Sequence, residues 1–190
     1  MQYTKVANDA FEQLVLNAGI VVDSFTPATA TIGNILGATT GGMTFNSNPN
    51  DSDFGENVDN VPAHTKQLRR RNSYDPTLSG TLLTVTPNLA KRLVGAGTVT
   101  SGKIVPSHTF TDGDFDDIWF ICDYSDKNTG TTAGFVAIHI MNALNTTGFQ
   151  LKTTKDNKGE MAFEFHGHYD IEDIDTVPFE IYVQAGTTPT

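Results

Sequence analysis

The chain has 190 residues, 38% of them hydrophobic, with 12 Lys and Arg against 22 Asp and Glu for a formal net charge of −10. That length suits one domain with a sizeable core, and the acidic balance argues against a module that grips nucleic acid, because a phosphate backbone is repelled. The lone Cys122 permits no internal disulfide, no apolar run approaches the ~18 residues of a membrane span, and MQYTKVANDAFEQLVLNAG lacks the basic and then apolar blocks of a signal peptide.

In chain order, residues 1–17 read as an N-terminal arm. Its stretch Asp9 to Leu16 is either a short amphipathic helix with Phe11, Leu14 and Val15 on one side or an extended segment. Ile20 to Phe25 reads as the first strand, followed by two short apolar runs, Ala30 to Leu36 and Met43 to Phe45, with the glycine-rich ATTGG between them. From Asn46 to Pro62 the composition turns to Asn, Asp, Ser, Pro and Gly without a period, and the basic run KQLRRR, Lys66 to Arg71, brings the chain back. The whole excursion, residues 42–75, is long enough inside a compact domain to need a reason. It reads either as a disordered surface loop or as a binding loop that orders against a partner.

Residues 77–97, TLSGTLLTVTPNLAKRLVGAG, hold a strand and the one convincing helix, about 87–94. Thr86 is a natural N-cap, Pro87 suits the first helical position, and Gly95 can supply the C-cap. Leu89 and Leu93 share a face, while Lys91 and Arg92 lie at the negative end of the helix dipole. So short a helix does not persist alone and must be docked. Thr98 to Phe110 reads as two short strands around a turn, and Asp112, Asp114 and Asp116 as a solvated acidic turn. A calcium loop would need Gly at Asp117 and Glu at Asp123. Ile118 to Tyr124 and Phe135 to Met141 read as buried strands, Phe149 to Thr153 as a further strand entering a KDNKG turn, and Phe179 to Val183 as the last strand before a tail, 184–190. Glu160 to Tyr169 has the clearest alternation: Met161, Phe163, Phe165 and Tyr169 face one way, and Glu164, His166, His168 and Asp170 the other. The expectation is a single, mainly β domain, an antiparallel sandwich or barrel with one flanking helix.

The row Glu164, His166, His168 and Asp170 is the best candidate for chemistry, since two imidazoles and two carboxylates on one strand face can converge on an ion. The plainer reading is a polar sheet face with no required metal. His139, in an apolar run, reads as a hydrogen-bonded core residue, and Cys122 as inert packing. There is no GxSxG elbow, phosphate-binding glycine loop or HExxH helix, so no enzyme and no cofactor is expected. In the excursion, Asp51, Asp53, Glu56 and Asp59 near the middle and Lys66, Arg69, Arg70 and Arg71 on the return segregate both signs of charge. Such a pattern suits a head-to-tail contact between copies, and internal ion pairs would display the same residues.

The glycine-flanked first strand, the long polar excursion, the unit TLLTVTPNLAKRLVGAG, the hairpin carrying GEMAFEFHGHYD and the closing VPFEIYV together resemble the major tail tube proteins of long-tailed bacteriophages, over roughly residues 18 to 183. The resemblance implies hexameric rings stacked into a tube around a tape measure protein, capped by tail-end proteins. DNA passes through such a tube without specific binding. It also implies a location in the virion tail, assembly in the bacterial host cytoplasm, no membrane contact, and a long loop, here Gly42 to Asp75, reaching the neighbouring ring. Tube proteins of contractile tails and secretion systems are related. The competing class is a non-catalytic β-sandwich binding module for carbohydrate or protein, whose usual exposed aromatic platform is hard to find with Trp119 in a buried run.

Overall fold

A computed structural model of the chain describes residues 6–7, 10, 13–124 and 134–185. Its strands are β1 (Val15–Val22), β2 (Phe25–Thr26), β3 (Thr31–Ile32), β4 (Thr39–Asn46), β5 (Pro49–Asp53), β6 (Arg69–Tyr74), β7 (Thr77–Leu82), β8 (Gly97–Thr100), β9 (Lys103–Pro106), β10 (Asp116–Tyr124), β11 (Phe135–Asn145), β12 (Met161–His166) and β13 (Phe179–Gln184), with one α-helix, α1 (Pro87–Val94). The protein is mainly β and antiparallel, with a nearly closed, barrel-like sheet and one helix, as the sequence predicts.

The sheet runs β1-β10-β11-β12-β7-β4, and β13 also pairs with β11. β11 joins two walls. Residues Phe135 to Ile140 lie between β10 and β13, whereas Leu144 and Asn145 pair with His166 and Phe165 of β12. The sheet curls until β1 approaches the far wall, where the Leu36 N–H donates to the Val21 carbonyl at 2.9 Å and Val22 bridges Ile35. Inside lie Val21, Leu78, Ile118, Ile140, Met161 and Phe163, with Leu89 and Leu93 of α1. Each such side chain contributes roughly 1.5–3 kcal/mol on burial.

The helix forms as its caps dictate. The Leu89 N–H donates to the Thr86 hydroxyl at 3.2 Å, and Gly95, at φ 93°, donates its N–H to the Lys91 carbonyl. Its basic end corrects the reading of the acidic turn as solvated. Lys91 lies 3.2 Å from Asp114, Arg92 lies 3.2 Å from Asp116, and the Asp114 carboxylate is buried. Burial would raise the Asp114 pKa, but the Thr111 N–H and hydroxyl and the Lys91 ammonium hold it down, to about 2. An eight-residue helix is docked here by two leucines beneath it and two ion pairs at its end.

Several boundaries differ from the sequence reading. The first strand is Val15–Val22 rather than Ile20 to Phe25, because Asp23 turns the chain by accepting from the backbone and side chain of Asn34 at 2.8 Å each. Val15 and Leu16 are therefore strand rather than helix, while most of the N-terminal arm, including residues 9, 11 and 12, lies outside the described residues, as does 186–190 of the tail. Within β1, Gly19 has φ +70°, and an added Cβ would stand 2.5 Å from the Phe120 ring. Of Ala30 to Leu36 only Thr31–Ile32 is strand, and Phe149 to Thr153 keeps only the bridge of Lys152 to Glu160. The excursion is no shapeless loop: it begins inside β4 and continues as the hairpin β5–β6. β12 ends at His166, short of the predicted Tyr169.

That ending is set by Gly167, packed where the segments at Pro76 and Pro178 meet. A Cβ there would lie 2.9 Å from the Pro178 carbonyl oxygen and 2.9 Å from Pro76 Cγ. Gly167→Ala is expected to lower unfolding stability by about 1–3 kcal/mol. Gly113→Ala, where nothing stands within 4 Å, should change it by less than about 0.5 kcal/mol. Denaturant titration of both variants checks the contrast.

Candidate assembly surfaces

The hairpin β5–β6 sorts the charges of the excursion. Asp51 stands opposite Arg71, Ser52 opposite Arg70 and Asp53 opposite Arg69, so Arg69 and Arg71 share a face with both aspartates while Arg70 faces the other way. Asp51 accepts from Arg71 and from Arg69, the latter at 3.3 Å, and Arg71 lies 4.7 Å over the Tyr74 ring. Asp53 accepts the N–H groups of Gly55 and His64 at 2.9 Å each and stands 3.0 Å from the His64 ring. Both carboxyls titrate below their ordinary range, Asp51 chiefly through the Arg71 hydrogen bond and Asp53 chiefly through the Gly55 N–H. Of the eight charged residues singled out in the excursion, Asp51, Asp53, Arg69 and Arg71 thus serve the hairpin itself. Glu56, Asp59, Lys66 and Arg70 are exposed and have no ion pair among the described residues.

The root of the hairpin is fastened to the barrel. The Asp75 N–H donates to the Asn48 carbonyl at 3.0 Å, the Tyr74 N–H to the Tyr169 hydroxyl at 2.8 Å, and Phe179 packs its ring against both Phe45 and Tyr74. His166 completes the anchor, with Nδ1 2.8 Å from Asp75 and Nε2 3.0 Å from Glu164. The two carboxylates sit on opposite nitrogens of one ring, so they do not converge on a common point. His168 is elsewhere, with Nδ1 donating to the Asn142 carbonyl at 3.1 Å and its ring edge-on to Phe115. Asp170 caps the next turn by accepting from the Glu172 N–H. The row Glu164, His166, His168 and Asp170 is therefore split by the end of β12. Among the described residues no group of three or more His, Cys, Asp or Glu is placed to hold a metal.

His139 lies stacked on Trp119, ring centroids 4.1 Å apart, with Asp117 at 3.1 Å and Glu180 at 3.7 Å. Cys122 is buried, and burial first, then the nearby Asp123 charge, push its thiol up to about 11.

Three surfaces went unread in the sequence. β13 pairs with β11 on one side, has no ladder on its other edge among the described residues, and exposes Ile181 (53%) and Val183 (61%). The turn after His168 presents Ile171, 91% exposed, and Ile174. Beside that turn an open cleft of about 360 Å³ is lined by Asp112, Phe115, Asn142, His168, Tyr169 and Asp170. Its walls come from three separate segments, so no local pattern announces it. No helix among the described residues is long and apolar enough to cross a membrane. No family model matches the chain, and no curated protein matches it either.

Two outcomes follow for the hairpin and its anchor. Arg71→Glu faces a second carboxylate against Asp51 and is expected to speed protease cleavage within 54–68 severalfold, whereas Arg70→Glu leaves the cleavage rate unchanged. Burial alone would lower the His166 pKa, but hydrogen bonds from its ring to the Asp75 and Glu164 carboxylates outweigh it and hold it above 6.5. The stability His166 contributes is therefore complete below pH 6.5, given ionised carboxylates, and is lost as pH rises through the folded value. The melting temperature should fall over that interval, and His166→Gln should flatten the profile; parallel profiles for the two proteins would remove His166 as the cause.

Proposed function

We propose that the chain is a structural, non-catalytic subunit that assembles with copies of itself into stacked rings, the tail tube protein of a long-tailed bacteriophage. The observation that carries this reading is β13. It is a six-residue edge strand of Phe, Glu, Ile, Tyr, Val and Gln, without Lys, Arg, Pro or a bulge, exposing two β-branched apolar side chains. Proteins that remain monomeric blunt such an edge; one left open suits pairing with a neighbouring copy, and repetition of that contact around an axis closes a ring. The hairpin β5–β6, cross-tied by its own ion pairs and rooted in the barrel, supports contact between rings. A formal charge of −10 per chain suits a channel through which DNA passes without binding. In this reading the rings are hexameric and surround a tape measure protein, tail-end proteins close the tube, and the assembled tail belongs to the virion after formation in the host cytoplasm. A tube protein of a contractile injection or secretion system is the alternative assembly of this kind. The carbohydrate-binding alternative is less well supported, since the one tryptophan is only 7% exposed and is covered by His139.

Electron microscopy of concentrated protein should show rings or tubes. The double variant Ile181→Lys/Val183→Lys should abolish them while changing monomer stability by less than about 0.5 kcal/mol. Tubes of normal length from that variant, or a wild-type protein that stays a compact monomer at every concentration and salt, would count against the proposal.

A further inference from the structure

We infer that the cleft bounded by Asp112, Phe115, His168, Tyr169 and Asp170 receives the Arg70 side chain of a second copy of this chain. The inference rests on the assembly reading above and names the contact that the hairpin makes.

The cleft has the chemistry of a guanidinium site. Its lining holds two carboxylates and neither lysine nor arginine. His168 Nδ1 faces the Asn142 carbonyl at 3.1 Å. A carbonyl only accepts, so Nδ1 carries a proton, and in the neutral tautomer Nε2 is left as an acceptor. Phe115 and Tyr169 add aromatic surface on which a planar cation stacks. Asp170 spends one oxygen on the Glu172 N–H at 2.9 Å, and a carboxylate has accepting capacity beyond one such bond. The walls are preformed: Asn142 is fixed by Asp117, which accepts its N–H at 3.0 Å, and Tyr169 by its bond to Tyr74.

The donor is singled out by elimination among the four arginines, because the lysines without an ion pair among the described residues, Lys66, Lys103, Lys152, Lys155 and Lys158, lack a planar cation. Arg92 is held by Asp116, and Arg69 and Arg71 by Asp51. Arg70, on the opposite face of the same ribbon, is exposed and has no partner among the described residues. It stands on a strand rather than a loose loop, so little backbone freedom is lost when it docks. Between chains that each carry −10, an unpaired cation and an unpaired acidic cleft are the features that make a head-to-tail approach attractive. Lysine would supply the charge but not the flat fork that donates to carboxylate oxygens edge-on and stacks on a ring face.

The test has two parts. First, the concentration at which half the protein is assembled is measured for Arg70→Ala, Arg70→Lys, the isosteric pair Asp112→Asn/Asp170→Asn, and the combination of Arg70→Ala with that pair. Arg70→Ala and the asparagine pair are each expected to raise it about tenfold or more, Arg70→Lys less, and the combination no further than either alone. Thermal melting of each monomer checks that folding is intact. Second, Ile171→Cys chains, altered at the cleft, are mixed with Asn72→Cys chains, altered two residues from Arg70, under mild oxidation. A covalent dimer is expected in the mixture well beyond what either forms alone. If Arg70→Ala blocks assembly but the asparagine pair does not, or the mixture gives no dimer while wild-type tubes form, the cleft is not the receiver although the assembly reading stands. If the wild-type protein forms neither rings nor tubes, both fall together.

Discussion

One strand carries the architecture. β11 is shared by two walls of the barrel, and the sheet turns where the strand itself bends, at Asn142. This asparagine takes φ 49°, a conformation that asparagine tolerates better than most residues. Asp117 holds its N–H and the His168 carbonyl takes its side-chain amide at 3.3 Å. Three residues on, Asn145 is buried and fully used. Its amide donates to the Leu93 carbonyl at 2.6 Å and the Gly148 carbonyl at 3.1 Å, and its oxygen accepts the Glu164 N–H at 2.9 Å. A buried polar group costs stability unless its bonds are made; here the bonds join the helix end, a turn and β12 to one strand. Helix, hairpin root and cleft are therefore placed by β11 and its two asparagines.

Charge is distributed on the same frame. Base is outnumbered by acid, and the four Lys and Arg with ion pairs among the described residues do internal fastening: the helix end to the acidic turn, the two outer arginines of the hairpin to Asp51. Two histidines each stand between two carboxylates, His166 at the hairpin root and His139 beside Trp119. The remaining acidic surface repels other copies over a Debye length of about 8 Å at physiological salt. In the proposed assembly, contacts between copies come from main-chain pairing at an open edge and from Arg70, the one of the four arginines without an ion pair among the described residues.

The sequence by itself determined the local decisions. Thr86, Pro87 and Gly95 fix where α1 begins and ends because capping depends on residues within one turn. The alternation from Met161 to Phe165 fixes which face of β12 is buried because successive side chains on a strand point opposite ways. Ser101 and Gly102, both at positive φ, turn β8 into β9 as the two-strand reading of that stretch requires. Tertiary structure decided whatever depended on a distant partner. The excursion carries no hydrophobic period, so its strands were hidden until Asp51 met Arg69 and Arg71 across the ribbon. Asp114 looked solvated until Lys91 reached it from the helix. The polar row beyond Glu164 looked continuous until Gly167, wedged between Pro76 and Pro178, ended the strand and sent His168 to another wall. The cleft and the free edge of β13 were invisible for the same reason: one is assembled from three separated segments, and the other is defined by which neighbour a strand lacks. A one-dimensional pattern records a residue's own preference, but not what the folded chain sets against it.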